Sequence, residues 1–227
     1  MISEHEVLAN IFKQPDLNCN KNNTCKREKF LSRLFGIFSE EIVNIWCQNE
    51  QAPFKNLGRP SLYDTKNGKY LHATLDFTFE DREDKKIYIV EMKCEIQYKN
   101  FKYFKLLSSS DIADDNANNF LRHHRKKKAF ERFEELAKDP HCYTVKYLDS
   151  QANEVREKIS GIILIWGSVD QEHIEGKKVG KFHQILSVER MISDLQEWDD
   201  GNYKELIEMY QCWSNGMFNQ LIGNKQT

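Results

Sequence analysis

Two neighbouring stretches decide the fold: TLDFTF at Thr74–Phe79 and IVEMKCE at Ile89–Glu95. In the first, apolar and polar side chains alternate, which is typical of a strand with one buried face. In the second, successive side chains are expected to alternate between the two faces of a buried strand, within an apolar run that begins at Ile87. The charged segment Asp81–Lys86 between them predicts a hairpin connection, so the two strands are expected to pair with each other.

A turn centred on the middle of this charged segment would place Asp76 opposite Glu91, and Thr74 opposite Lys93, on one face of the hairpin. The Cβ atoms of opposed residues lie about 4.5–5.5 Å apart, which is close enough for two carboxylates to share a divalent cation. Lys93 projects toward the same place, where it can orient or deprotonate a water. Hydrolysis of a phosphodiester needs a Lewis-acid metal, an activated water and nearby positive charge.

Asp76, followed at this spacing by Glu91-Met92-Lys93, resembles the PD-(D/E)XK nuclease superfamily, which includes most type II restriction endonucleases. The resemblance extends over roughly the first three-quarters of the chain in the order of elements, but its specific match is a few residues. The sequence departs from the family pattern at Leu75, which stands where a proline precedes the aspartate. This departure leaves Asp64 as a competing candidate for the metal-binding aspartate.

The resemblance implies that Asp76 and Glu91 bind Mg²⁺, with Mn²⁺ as a substitute, helped by the carbonyl of Met92. It further implies that Lys93 prepares the attacking water. An acidic residue on the first helix of this family often contacts the metal or the water, which makes Glu28 a candidate catalytic residue. Acidic residues in a first helical turn also simply suit the helix dipole.

The order of predicted elements indicates an α/β fold, with a three-layer α/β/α core around a central mixed sheet of four to five strands and extra C-terminal helices. The same order is implied by the restriction-endonuclease-like fold of the family. Lys26–Gln48 is predicted to be a helix, and Ile159–Trp166 a strand buried on both faces. We expect one domain over residues 1–227, with a core at about 25–170 and a helical extension at about 187–223.

The C-terminal part predicts two helices, Val188–Trp198 and Tyr203–Leu221, separated by a break. An apolar stripe on the second helix is expected to lie in the core, or to form a homodimer interface if it is exposed.

Any affinity for nucleic acid must come from local patches, because the net charge of the chain is only −2. The stretch 56–64 is expected to be an irregular lead into the sheet with a turn at 58–60, and Arg59 beside this turn is a candidate phosphate contact. Tyr98–Lys105 predicts the start of a helix with a row of lysines, and Arg122–Lys128 is the densest basic run, at the start of a helix expected from about Asn118 to Lys138. The candidate DNA-binding residues are Arg59, Lys99, Lys102, Arg122, Arg125, Lys126 and Lys127.

Six cysteines occur without a CxxC pair, the N-terminal sequence does not resemble a signal peptide, and no apolar run approaches about 18 residues. These features predict a cytoplasmic protein with free thiols and no membrane partner.

The leading interpretation is a Mg²⁺-dependent DNA endonuclease that leaves 5′-phosphate ends, with restriction as the first biological role and repair or mobile-element functions next. One alternative is a nucleic-acid-binding protein that keeps the fold without catalysis. Another is a metabolic or interaction protein in which Asp76, Glu91 and Lys93 form a surface ion-pair ladder. The first alternative predicts DNA binding without cleavage, and the second predicts no DNA binding at all.

Overall fold

The structure is a computed structural model that describes residues 26–71, 75–94, 96–97, 102–103, 105–106, 128–148 and 151–222. Its elements, in chain order, are α1 (Lys26–Gln48), β1 (Phe54–Asn56), β2 (Ser61–Asp64), β3 (Lys69–Leu71), β4 (Phe77–Asp81), β5 (Ile87–Lys93), β6 (Ile96–Gln97), β7 (Lys102–Tyr103), β8 (Lys105–Leu106), α2 (Lys128–Lys138), a 3-10 helix (Pro140–Cys142), β9 (Tyr143–Leu148), β10 (Glu154–Trp166), β11 (Ser168–Val169), β12 (Gln184–Ser187), α3 (Val188–Glu197) and α4 (Gly201–Ile222).

The main sheet has the order β1-β4-β5-β10-β9-β2-β3, with β12 pairing to β10 beside this path. Most neighbours are antiparallel, whereas β10 runs parallel to β5 and to β12. The prediction of an α/β fold with a mixed sheet is confirmed, but the described residues alone give the sheet eight strands rather than four or five. The sheet is wider because β10 is 13 residues long. Its first part pairs with β9 and its second part with β5, so β9, β2 and β3 extend the sheet.

The β4–β5 hairpin has the predicted register. Phe77 pairs with Val90 and Glu80 with Ile87, and continuing this register by one residue places Asp76 opposite Glu91. The turn is held by the carboxylate of Asp81, which accepts from two backbone N–H groups within the turn. The expectation that the first strand buries only one face is wrong, because the polar Thr78 is fully buried.

Helices cover both faces of the sheet. On one face, α1, α3 and α4 pack against Tyr88, Val90 and Met92 of β5. On the other face, α2 contributes Phe133 and Leu136 to a core that contains Ile87 and Ile89. The alternation predicted for β5 is therefore confirmed. β10 is buried on both faces as predicted, since neighbouring residues in its second half contribute to opposite cores.

Two expectations about local structure are wrong. The segment Tyr98–Lys105 does not begin a helix where the structure describes it, because Lys102–Tyr103 and Lys105–Leu106 are short strands. The second of these strands pairs in parallel with β11 and buries Leu106, a long-range contact that outweighs the local helical spacing. The stretch 56–64, expected to be irregular, includes the end of β1 and the whole of β2, joined through a turn at Gly58 with φ of 95°.

The C-terminal helices are confirmed as α3 and α4, and the side chain of Ser187 caps α3 by accepting from the N–H of Arg190 at 3.1 Å. The apolar stripe of α4 is only partly in the core: Leu206 is buried, whereas Trp213 is 48% exposed. Among the residues that the structure describes, no helix combines the length and the apolar character needed to cross a membrane.

Candidate active site

Asp76 and Glu91 meet at the open end of the β4–β5 hairpin. Asp76 is partly buried, and its Oδ2 accepts from the backbone N–H of Met92 at 2.7 Å. This bond ties the residue before β4 to the strand that carries Glu91. The two carboxyl groups are close enough to hydrogen-bond to each other when one of them is protonated. The structure therefore brings together the two acids that the sequence predicted to be opposed.

The carboxyl group of Glu91 is buried and incompletely satisfied. The residue is only 2% exposed, and its Oε2 has no hydrogen-bond partner among the described residues. Burial, and then the neighbouring Asp76 carboxylate, raise the pKa of Glu91 to about 7, although Lys93 acts in the opposite direction. A buried carboxylate oxygen without a donor is costly, because nothing replaces the water that solvated it.

Lys93 is the last residue of β5, and its side chain contacts Glu91 and Met92 of the same strand. Its Nζ donates to Oε1 of Glu91 and, at 3.0 Å, to the carbonyl of Met92. The Lys93 side chain is 19% exposed, so the ammonium group lies at the boundary between the core and solvent. A lysine in this position can place its positive charge beside an anion that approaches from solvent.

The donor set suits a hard divalent cation. In the described part of the chain, no three His, Cys, Asp or Glu residues cluster as a metal site. Mg²⁺, however, is commonly held by one or two carboxylates and completes its octahedron with waters and substrate oxygens. Asp76, Glu91 and the carbonyl of Met92 supply such a set, and the unpartnered Oε2 of Glu91 is a free ligand atom for it. These residues fit Mg²⁺ better than Zn²⁺, which prefers nitrogen and sulfur ligands.

A third acid, Glu40 of α1, belongs to the same group, and the sequence did not single it out. Burial, and then the Asp76 carboxylate, raise the pKa of Glu40, whereas Arg59 acts against this shift. The predicted acid on this helix, Glu28, lies about 18 Å nearer the N-terminus along the axis, and its side chain lies outside the described residues. Glu40 flanks the buried stripe that contains Val43 and Cys47, which indicates the face of the helix on which it lies but not its position relative to Asp76.

Arg59 reaches the site from the loop between β1 and β2. Its Nη2 lies 3.6 Å from Oε2 of Glu40. The loop is attached to β4, because the N–H of Leu57 donates to the carbonyl of Thr78 and the N–H of Thr78 donates to the carbonyl of Gly58. Gly58, the residue before Arg59, is therefore bonded to Thr78, which lies two residues after Asp76 in the sequence.

Asp64, the competing aspartate, has a structural role elsewhere. Its carboxylate accepts from the backbone N–H groups of Lys66 and Asn67, and from the side-chain amide of Asn67 at 2.6 Å. The Asn67 side chain is the main cause that lowers the pKa of Asp64. Since Asp64 lies on β2, which is separated from β5 by β9 and β10, the structure favours Asp76 as the aspartate beside Glu91.

The structure does not describe the side chains of the remaining predicted DNA-binding residues. Lys102 lies in β7, but its side chain is outside what the structure describes. Lys99, Arg122, Arg125, Lys126 and Lys127 lie outside the described residues altogether.

Comparison with known proteins returned no match to a family model, to a curated protein or to a solved structure.

Proposed function

We propose that this protein is a Mg²⁺-dependent nuclease that hydrolyses phosphodiester bonds of DNA at the site formed by Asp76, Glu91 and Lys93. The observation that carries the proposal is the Glu91 carboxylate, which is buried beside a second carboxylate and has one oxygen without a hydrogen-bond donor among the described residues. A cation between two adjacent buried carboxylates stabilises them, because their negative charges otherwise repel each other.

Each residue has a specific task in this proposal. Asp76 and Glu91 hold Mg²⁺, or Mn²⁺ in its place, together with the carbonyl of Met92. When bound, the ion supplies a Lewis acid for the phosphoryl group. Lys93 orients the attacking water and offsets the negative charge that develops on the phosphate, since its ammonium group already lies between Glu91 and the carbonyl of Met92.

The order of elements supports a restriction-endonuclease-like core. Helix α1 is followed by the antiparallel strands β1, β4 and β5 in adjacent positions, then by α2 and by β10, which is parallel to β5. We propose that α1 and α2 form the outer layers of a three-layer α/β/α arrangement, because they contribute to cores on opposite faces of the sheet. The Asp76–Glu91 pair would then lie at the open end of the central hairpin.

DNA is the proposed substrate, and restriction of foreign DNA by a homodimer is the leading role. The basic run at 122–128 would contact the phosphate backbone of the DNA without regard to sequence. Replacing Arg125, Lys126 and Lys127 with Ala is expected to weaken DNA binding at all sequences and to reduce its dependence on salt concentration, because fewer counterions are released. An unchanged salt dependence in fluorescence anisotropy would instead assign this run to a solvated surface.

The test of the proposed function is incubation of the pure protein with plasmid and phage DNA in Mg²⁺, Mn²⁺ or EDTA. We expect cleavage that requires the divalent cation and is absent from Asp76→Asn. Lys86→Ala is a suitable control, since Lys86 pairs with Asp84 at the exposed opposite end of the same hairpin. Tight DNA binding without cleavage in any cation would point to the non-catalytic alternative, and the absence of both binding and cleavage would reject a nuclease.

A further inference from the structure

Arg59 is held beside the acidic site by a single partner. Its Nη2 lies 3.6 Å from Oε2 of Glu40, and no other ion pair of Arg59 occurs within the described part of the chain. The Arg59 side chain is 65% exposed. The guanidinium group therefore lies between the Glu40 carboxylate and solvent, where it is accessible to an anion.

The backbone that carries Arg59 is fixed, although its side chain is exposed. Asn56 accepts from the N–H of Gly58 at 2.9 Å and donates from its side chain to Asn44 of α1 at 2.7 Å. Gly58 in turn pairs with Thr78 of β4. The loop is thus fastened both to α1 and to β4, so Arg59 can exchange partners by a change of its side-chain rotamer alone.

We propose that Glu40 holds Arg59 in the cation-free protein and releases it when Asp76 and Glu91 bind a divalent cation, so that Arg59 can then bind a phosphate group of the DNA. The proposal rests on the proposed function and adds an order to it, in which the cation binds before the DNA. Arg59 is a substrate-binding residue in this scheme, because it contacts a phosphate group of the DNA and not the attacking water.

The charges of the site favour this exchange. With all groups ionised, the carboxylates of Asp76, Glu91 and Glu40 outnumber the cationic groups of Lys93 and Arg59 by one, so the empty site repels a phosphodiester. A divalent cation reverses the sign of the net charge and draws Glu40 toward itself. The exposed pair between Arg59 and Glu40 separates at low cost, and the planar guanidinium suits two phosphate oxygens.

The first experiment measures the affinity of a short fluorescent DNA duplex by anisotropy, in Ca²⁺ and in EDTA. Arg59→Ala is expected to weaken binding about tenfold in Ca²⁺ and to change it less than about twofold in EDTA, where Arg59 is already occupied. Lys85→Ala is the matched control, because Lys85 lies in the turn after β4, pairs with Glu80 of β4 at 3.7 Å, and has a side chain that is 66% exposed. Equal effects of the two variants in Ca²⁺ would overturn the proposal.

A second experiment separates release of Arg59 from a simple change of charge. Glu40→Gln is expected to strengthen DNA binding in EDTA, because Arg59 is then free without a cation. The double variant Glu40→Gln/Arg59→Ala is expected to lose this gain. If the double variant keeps the gain, the effect comes from removing a negative charge, and the exchange of partners is rejected.

Calorimetry with Mn²⁺ distinguishes failure of this proposal from failure of the proposed function. Arg59→Ala is expected to bind Mn²⁺ about fivefold more tightly than the wild type, because a neighbouring positive charge has been removed. A wild-type protein that does not bind Mn²⁺ would reject the proposed function together with the role of Arg59. Mn²⁺ binding that is identical in the wild type, Arg59→Ala and Lys85→Ala would reject only the role of Arg59.

Discussion

Two acidic regions of the same sheet have opposite hydrogen-bonding environments. At the turn after β2, the carboxylate of Asp64 receives three N–H donors, and its pKa is lowered. At the open end of the β4–β5 hairpin, Glu91 lies beside Asp76, one of its oxygens has no donor within the described residues, and its pKa is raised. The turn is complete by itself, whereas the hairpin end brings together two acids whose mutual repulsion a bound cation would relieve.

A structural acid and a functional acid differ in the donors and charges that surround the carboxylate. Asp64 shapes a turn because short backbone segments provide its donors locally. Glu91 lies on β5, between β4 and β10 in the sheet, and its buried carboxyl group has the Asp76 carboxylate and the Lys93 ammonium group as charged neighbours. Regions of buried, mutually repelling charge are expected at catalytic and metal-binding sites.

The largest effect is expected from Lys93→Ala. If Lys93 orients the attacking water and stabilises the developing charge, the variant should fold and bind DNA, yet cleave about 10²- to 10⁴-fold more slowly. Single-turnover cleavage of plasmid DNA in saturating Mg²⁺ measures this rate. Wild-type cleavage by Lys93→Ala would remove the mechanism and make the ammonium group an ordinary partner of Glu91.

The next effect concerns binding of the cation itself. Asp76→Asn and Glu91→Gln each remove a charged ligand, so the affinity for Mn²⁺ should fall by about 100-fold or more in isothermal calorimetry. Asp64→Asn should leave this affinity unchanged, because Asp64 lies on the far side of β10 and β9. Equal Mn²⁺ binding by all three variants and the wild type would erase the distinction between the two acidic regions.

The parts of this contrast that the sequence predicted depend on local periodicity. Alternation along Leu75–Phe79 and along β5, together with the charged turn, was enough to place Asp76 opposite Glu91. The same kind of pattern predicted α1 and the buried second half of β10. Each of these segments is long enough for one face to be recognised as buried.

The parts that the sequence did not predict depend on long-range packing. β7 and β8 have two residues each, which is too short for any periodicity, and β8 is specified by its pairing with β11. Which acid of α1 lies near Asp76 depends on the position of the helix along the sheet, and no pattern within the helix fixes that position. Which of Asp64 and Asp76 lies beside Glu91 likewise depends on the order of the strands in the sheet, which no local pattern predicts.

A smaller effect is expected in the dependence of stability on pH. The folded-state pKa of Glu91 is raised to about 7 from its usual 4.5, so its contribution to stability is present below pH 4.5 and is lost as the pH rises through 7. Relative to Glu91→Gln, the wild type in EDTA should lose on the order of 2 kcal/mol of unfolding free energy between pH 5 and pH 8. Parallel pH profiles in urea unfolding would show that Glu91 is not buried against Asp76, and Mn²⁺ should restore the lost stability at pH 8.

The smallest effect is expected at the satisfied acid. Asp64→Ala leaves the N–H groups of Lys66 and Asn67 without their acceptor, and these donors are near the surface, where water replaces part of the lost bonding. The melting temperature should fall by about 5 °C at pH 7.

The same variant has an expected pH dependence. Because the pKa of Asp64 is lowered, its contribution to stability is present above the usual aspartate pKa and is lost as the pH falls through the lower folded-state pKa. The stabilities of the wild type and Asp64→Ala should therefore converge in acid. This slope is opposite in sign to that of Glu91. A difference between wild type and Asp64→Ala that grows as the pH falls would contradict the structural role of Asp64 and reopen it as a functional acid.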